Sequence, residues 1–518
     1  MDSDTSHLSE AGRSQEQSSE TLQADINPRQ KRLVFFSKIL PVLLAETALV
    51  VGIWFRALFF LAFPDPFPNP DSWSYLTGTF GLIMKGQFDL YAQRTPAFPL
   101  IVWVALVVFK SFAALNIIHG ILTLLSALAI GYVVRAFGGP WRWPACVAVM
   151  FIAIHPHIAY WEHFVMTDGS FQAFFTFSIC AIALLLIRPT LVYVAVAGLL
   201  TSVTILVRPS GLVLLPILLL ALLFAVRKLG GQKLLRLVAA GSLAPTLLLG
   251  AWSLRNQRVN GFFGLSNIGP LQYFGVSARW IDLKSPLLDE DKALIADAIK
   301  RYRSMPEDVV WVQYAQDGPA YLIDRRYAGD PNHRDSVYST LAREAVLHHP
   351  FAFTARGLRA TSKMLSGHVW HEYYSFAGAV SWDSIWDDLE KQFPVNQYRA
   401  ALNETRFPVS SRQATYEQDI RPILAWEPIF IRASVILILF SIVSLPWLQG
   451  TRRIAVALTA VVAVSLVMTA GFLSEPYDRY VSGMHGSAAL AGALAIVGLI
   501  ERWRSGKSIG YANARNDR

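Results

Sequence analysis

Nine ionisable residues stand at or beside the ends of long apolar runs in this chain: Asp71, Arg94, Asp168, Arg208, Arg255, Arg258, Glu475, Asp478 and Arg479. Charge near or within a membrane is costly, so such a set is read first as a functional site. Carboxylates and arginines together suit one kind of chemistry. A carboxylate takes a proton from an acceptor hydroxyl, while arginines hold a phosphate that leaves. Asp71 is the leading candidate. It lies in Pro70-Asp71-Ser72-Trp73-Ser74-Tyr75-Leu76, just after an apolar run that ends near Phe63, and Arg94-Thr95-Pro96 opens the next run.

Competing chemistries find less support. There is no P-loop, no Gly-rich dinucleotide turn, no His-Glu-x-x-His and no cysteine pair at metal spacing. His155, His157 and His163 cluster beside Asp168. That leaves a metal site open, although His-x-His on an interfacial turn is more often structural. Scattered Ser, His and Asp positions define no hydrolytic triad. Cys146 and Cys180 both lie inside apolar runs and suggest no disulfide.

The elements that must position these residues are membrane helices. Of 518 residues, 53% are hydrophobic and only 16% charged, and apolar runs of roughly 18 residues recur, which predicts an all-α polytopic membrane protein. The net charge of +9 comes from Lys/Arg clusters at the ends of apolar runs, the pattern of cytoplasmic flanks rather than of a nucleic-acid groove. Residues 1–33 read as a disordered cytoplasmic tail, 34–256 as an N-terminal membrane module with a first outer loop at 63–96, and 257–425 as an extracytoplasmic region. Residues 426–501 read as C-terminal membrane helices and 502–518 as a second cytoplasmic tail. Inside-type flanks at both ends require an even number of crossings, so about ten are expected. The run at 97–110 is the weakest, being shorter than the roughly 17–25 residues a span needs.

The 257–425 region is too long for a plain loop and should carry structure of its own. Leu287 to Tyr302 and Ser336 to His348 have helical spacing. Phe351 to Met364 reads as an amphipathic helix entered after Pro350, with Arg356, Arg359 and Lys363 on one face. That face suits solvent or headgroups, or a basic rim around an anionic lipid substrate. Arg56 reads either as a snorkelling interfacial arginine or as a phosphate contact. Asn403-Glu404-Thr405 matches a glycosylation pattern that matters only in a eukaryotic lumen.

Taken in order, several short motifs resemble the GT-C glycosyltransferases of the protein O-mannosyltransferase and aminoarabinose-transferase type. They are Asp71-Ser72-Trp73-Ser74-Tyr75-Leu76; Arg94-Thr95-Pro96-Ala97-Phe98-Pro99-Leu100; Met166-Thr167-Asp168; Val207-Arg208-Pro209-Ser210; Trp252-Ser253-Leu254-Arg255-Asn256 running into Gly261; and Pro476-Tyr477-Asp478-Arg479-Tyr480. The resemblance implies a GT-C-like fold and a transferase that takes a sugar from a polyprenyl-phosphate carrier to an extracytoplasmic hydroxyl, with inversion. It implies that Asp71 is the first-loop catalytic acid and that Asp168 is a later acid of the same cavity. Arg94 would approach the donor, and Arg479 with Tyr480 would lie near the carrier phosphate. Arg208 and Arg255 fit either that role or span-end anchoring. The family often has a second acid where this chain has Ser72. No cofactor is implied with certainty, and a divalent cation is left open if Asp71 and Asp168 come close. The implied setting is a bacterial inner membrane, with the site facing outward and with the lipid-linked sugar, the acceptor glycan, lipid or protein, and membrane lipids as partners. A transporter or flippase of lipid-linked saccharides is the alternative, but no paired repeat with mid-span charges is visible.

Overall fold

In the computed structural model the described residues are 28–88, 93–138, 143–227, 231–305, 315, 317–367, 381–395, 399, 413–474 and 478–516. Residues 1–27, the Asn403-Glu404-Thr405 pattern, Glu475, Pro476 and Tyr477 fall outside them. The described residues are helical, with no β-strand among them and a single isolated bridge between Phe67 and Phe164.

The first half of the chain runs α1 (Pro28–Ala62), α2 (Ser72–Lys85), α3 (Ala97–Trp103, continued by a π turn to Val108), α4 (Ala113–Gly138), α5 (Trp143–Ala153), α6 (Pro156–Trp161), α7 (Asp168–Ile187), α8 (Leu191–Val207), α9 (Leu214–Val226), α10 (Gly231–Ala244) and α11 (Gly250–Asn260). A more polar set follows: α12 (Ile268–Ser277), α13 (Asp289–Arg303), α14 (Pro319–Arg326), α15 (Pro331–His348), α16 (Pro350–Leu365), α17 (Trp382–Glu390) and α18 (Gln413–Leu424). The chain closes with α19 (Glu427–Ser444), α20 (Gly450–Leu473) and α21 (Ser482–Asn516).

Six helical stretches are long and apolar enough to cross a membrane: Ala113–Gly138, Asp168–Ile187, Gln232–Asn260, Gln418–Trp447, Gly450–Leu473 and Arg479–Arg504. Shorter apolar helices occupy Ala97–Val108, Trp143–Ala153, Leu191–Val207 and Pro209–Ala225. The protein is therefore a polytopic membrane protein, as its apolar runs predict. Ala97–Val108 extends only about 18 Å at 1.5 Å per residue, short of the roughly 30 Å hydrocarbon layer.

The centre of the bundle is α21, which packs on α4, α5, α7, α19 and α20. Between lipid-exposed helices the hydrophobic effect provides little drive, so close packing of small residues must do more. Gly486 shows this. A Cβ there would stand 2.0 Å from Thr176 Oγ1 of α7, so only glycine lets α21 approach α7 so closely. Two hydroxyls of α7 are satisfied within the bundle. Thr176 donates to Gln172 O at 2.9 Å, and Ser178 shares a hydrogen bond with Thr204 of α8 at 2.8 Å, as buried hydroxyls without water require.

The helices expected in the polar region are present: α13, α15 and α16 match the predicted segments, α16 beginning at Pro350. α13, α14 and α15, with α12, share a core of Phe274, Ile295, Ile299, Tyr338 and Leu341. The basic face predicted on α16 is split by packing. Arg356 is buried and donates from Nη1 to Gly471 O at 2.8 Å and from Nη2 to Ser474 O at 2.6 Å. It satisfies carbonyls at the C-terminal end of α20, which no intrahelical donor reaches. Arg359 stays exposed.

Arg56 is neither snorkelling nor placed to meet phosphate. It is buried in the bundle, where Nη2 pairs with Glu162 Oε1 at 2.9 Å and Nη1 donates to Ala153 O at 2.5 Å. A lone arginine in an apolar run suggests the interface; here a carboxylate from another element neutralises it inside.

Candidate active site

Five of the helix ends predicted to carry charge meet at one place. Asp71 immediately precedes α2, Arg94 precedes α3, and Asp168 is the first residue of α7. Arg208 follows the last residue of α8, and Arg479 with Tyr480 lies in the 3₁₀ turn Asp478–Val481 that leads into α21. The helix dipoles favour Asp71 and Asp168 at N-termini and Arg208 at a C-terminus, whereas Arg94 and Arg479 precede helix N-termini and rely on the Asp71 carboxylate.

Asp71 occupies an N-cap position, yet its side chain makes no cap hydrogen bond. The turn is held by its neighbours instead. Asn69 Oδ1 accepts from the Asp71 amide at 3.1 Å, and the Ser74 hydroxyl donates to Asp71 O at 2.6 Å. This leaves the Asp71 carboxylate for the arginines. Arg94 Nη2 pairs with Oδ1 at 2.8 Å and Arg479 Nη2 approaches Oδ2 at 3.5 Å. Arg94 also donates from Nε to Ser74 Oγ at 2.8 Å and from Nη1 to Tyr75 OH at 3.2 Å, and it lies 4.5 Å over the Tyr75 ring. Its fork is thus seated on one face of α2, formed by positions i, i+3 and i+4 from Asp71.

Asp168 is fully buried and takes the Arg208 guanidinium on Oδ1 at 2.5 Å. Its Oδ2 is buried with no hydrogen-bond partner. Arg208 and Arg479 flank the same ring, their guanidinium carbons 4.8 Å and 5.1 Å from the Tyr480 centroid, and Arg479 Nη2 reaches Tyr480 OH at 3.2 Å. Tyr480 therefore joins the Asp71 half of the site to the Asp168 half. Of the charged side chains in the cluster, Asp71 is the most open, at 37% exposure against 15% or less for the others.

The electrostatics follow from three arginines beside two carboxylates. Burial would lift the Asp71 carboxyl, but the charges of Arg94 and Arg479, the Arg94 hydrogen bond and the charge of Arg208 outweigh it and hold the group down at about 2. Burial works against charge on Arg94 and Arg208 as well. Tyr75 and Asp71 overcome it for Arg94, and Asp168 and Tyr480 for Arg208, so both are raised. Because the Asp71 value is depressed on folding, its contribution to stability is full above the ordinary carboxyl range and is lost as pH falls from about 4 toward about 2. The stability gap between the protein and its Asp71→Asn variant should therefore be constant from pH 8 to 5 and close below pH 4. Thermal unfolding in detergent across that range checks it; a gap that closes between pH 5 and 7 would contradict the arrangement.

Ser72, the departure from a paired-acid motif, has a different job. Its hydroxyl donates to Val165 O at 2.9 Å and accepts from the Asn69 amide at 2.8 Å. Nearby, Phe67 N donates to His163 O and Val165 N to Phe67 O. These bonds fasten the loop before Asp71 along the segment before Asp168, and so set the spacing of the two acids. Ser72 is fully buried. Ser72→Ala should cost about 1–3 kcal/mol by stranding Val165 O and the Asn69 amide. Ser72→Asp should cost more, because it buries a carboxylate against a carbonyl. Denaturant titration of the purified variants measures both; Ser72→Asp at wild-type stability would overturn this role.

Other predicted residues are placed elsewhere. Arg255 is engaged by α11 and by the chain that follows α2. It lies 5.0 Å over the Trp252 ring and donates to Phe88 O at 2.7 Å and to Asn256 Oδ1 at 3.1 Å, clamping α11 to the chain that follows α2. Arg258 is exposed near the end of α11. His155 and His157 pack with His485 instead of with Asp168. The His155–His485 ring centroids are 4.0 Å apart, His157 Nδ1 contacts the Glu427 carboxylate, and Ser434 meets His485 Nδ1 at 2.8 Å. His163 Nδ1 bonds Ala159 O at 2.9 Å. Among the described residues no group of three His, Cys, Asp or Glu side chains is placed to hold a metal, and Asp71 and Asp168 are engaged by arginines rather than by each other. Ser74 and Tyr75 were not singled out from the sequence as site residues. Their spacing from Asp71 on a short helix is the signal that could have found them.

No family model matches the chain, and no curated protein matches it. Solved structures similar to it include the crystal structure of the Archaeoglobus fulgidus oligosaccharyltransferase in complex with zinc and sulfate, at 12% identity and a TM-score of 0.39, covering 90% of this chain and 51% of that one. ArnT from Cupriavidus metallidurans bound to undecaprenyl phosphate is similar at 14% identity and a TM-score of 0.33, covering 88% of this chain and 77% of that one. Its apo form is similar at 15% identity and a TM-score of 0.30, with the same coverage. The chain spans about half the length of the oligosaccharyltransferase it matches. At these values the likeness gives no residue a role, and the chemistry of the site rests on its own geometry.

Proposed function

We propose that the protein is a membrane glycosyltransferase that moves a sugar from a polyprenyl-phosphate carrier to an acceptor hydroxyl on the outer side of a bacterial inner membrane. One observation carries this reading: five separate chain segments bring three arginines and two carboxylates together at helix ends, with Asp71 the most open of them. The cluster has one more positive than negative charge, which suits an anionic phosphate. A lipid-linked donor is reached laterally from the bilayer, and the chain has no nucleotide-binding turn.

The acceptor hydroxyl attacks the anomeric carbon and gives its proton to Asp71. The bond from that carbon to the phosphate oxygen breaks, and the electron pair leaves with the polyprenyl phosphate. Arg94, Arg208 and Arg479 stabilise the charge that develops on the leaving phosphate. A single in-line displacement inverts the anomeric centre. Asp71 held at about 2 is a weak base in the free protein. A phosphate that draws Arg94 and Arg479 toward itself relieves that restraint, so donor binding arms the base. Asp168 holds Arg208, and Tyr480 spaces Arg208 from Arg479.

The test supplies purified protein with radiolabelled polyprenyl-phosphate sugars and a panel of hydroxyl acceptors. Covalent transfer of label with release of polyprenyl phosphate is expected. Movement of intact lipid-linked sugar across sealed vesicles without covalent change would sink the reading in favour of a flippase.

A further inference from the structure

The corner between α15 and α16 carries large apolar side chains that stay exposed. Phe351 is 89% exposed and Leu347 66%, and Leu358, about two turns along α16, is also exposed. None belongs to a helix apolar enough to cross a membrane. Isolated exposed apolar residues are ordinary, but a group of this size on one corner marks an interaction surface.

Its position in the bundle indicates the partner. α16 packs on α20, and the crossing is tight: a Cβ on Gly471 would stand 2.1 Å from Thr361 Oγ1 and 2.9 Å from Gly357 O. Phe353 lies 5.7 Å from Phe472, the last residue but one of the apolar span Gly450–Leu473. That span's end marks the edge of the hydrocarbon layer, so Phe353 sits at the edge too. Trp280 and Tyr273 gather around Phe353, at 6.3 Å and 6.1 Å. Tryptophan and tyrosine at this depth are the signature of the membrane–water interface. The exposed Arg359 next to Leu358 adds the cationic flank of an interfacial helix.

We propose that the α15–α16 corner is a bilayer-docking surface, with Phe351 and Leu347 inserted among the lipids of the leaflet on the active-site side. Leu473, the last residue of α20, is exposed as well, and the occupant of the surface is the headgroup and upper acyl region. Arg356 then ties this anchor to Gly471 and Ser474, a few residues before Arg479, so the seat of α16 in the leaflet bears on the site.

The experiment places an environment-sensitive fluorophore on F351C and, separately, on L347C in the full chain. Cys146 and Cys180 are both buried, so label goes to the introduced thiol. D297C is the control, since the Asp297 side chain is 91% exposed on α13 of the polar region. The proteins are reconstituted in phosphatidylcholine–phosphatidylglycerol vesicles with and without brominated acyl chains. Brominated lipid should quench the F351C and L347C labels several-fold more than the D297C label. Quenching at the D297C level in both would overturn the proposal, and cross-linking between F351C copies without lipid quenching would assign the surface to a second copy. The readout is position in the bilayer, so its outcome is independent of whether sugar transfer is found.

Discussion

Asp71→Asn is expected to lower sugar transfer by about 10²- to 10⁴-fold, the range that a positioned general base contributes. The amide preserves size and can still accept from Arg94, which also keeps its bonds to Ser74 and Tyr75. What is lost is the negative charge and the capacity to take a proton. The two kinetic constants should separate. In the native protein the carboxylate pairs with Arg94 and Arg479, and in the proposed reaction it would compete with donor phosphate for them. Removing it should lower kcat while donor affinity stays the same or rises, the behaviour of a group needed in the transition state rather than for ground-state binding. Single-turnover label transfer with a titration of donor measures both. Equal transfer by the variant would remove Asp71 from the reaction. A parallel fall in donor affinity would make it a binding residue instead.

The second large effect concerns stability. Arg56→Leu or Glu162→Leu alone should each cost about 3–5 kcal/mol, because each leaves one charge buried without its partner. Arg56 also donates to Ala153 O, and His119 Nδ1 contacts Glu162 O, so the pair joins α1, the end of α5 and α4. The double replacement with two leucines should recover much of the loss, since a well-packed apolar pair avoids the desolvation of two ions. Unfolding titrations of the two single variants and the double variant in mixed micelles close the cycle. Additive losses would mean that the two side chains do not act as a pair.

The charged residues at run ends were legible because their placement has one economical explanation. An ion at the end of an apolar run is tolerated if it meets a counter-ion, so the positions of Asp71, Arg94, Asp168, Arg208 and Arg479 in the sequence already imply that they share a site. In the structure they do meet, together with Tyr480. The same logic misplaced Arg56. Its partner Glu162 lies 106 positions away in a stretch whose surroundings say nothing of which helix it will face. Arg255 shows the converse. Its motif resembled a site residue, yet a carbonyl 167 positions earlier holds it, and a backbone carbonyl leaves no mark in a sequence.

The chain by itself determined that it is a helical membrane protein, because apolar length and charge placement are local properties that a bilayer acts on directly. It also determined which few ionisable side chains could share a site. Only the tertiary structure decided how they pair: that Asp71 is held by Arg94 and Arg479 and Asp168 by Arg208, and that Ser72 serves as the clasp between the two acid segments instead of replacing a lost acid. Those outcomes depend on which carbonyls and rings arrive within about 3–5 Å. That distance is set by helix packing, in which contacts from far along the chain decide what each side chain meets.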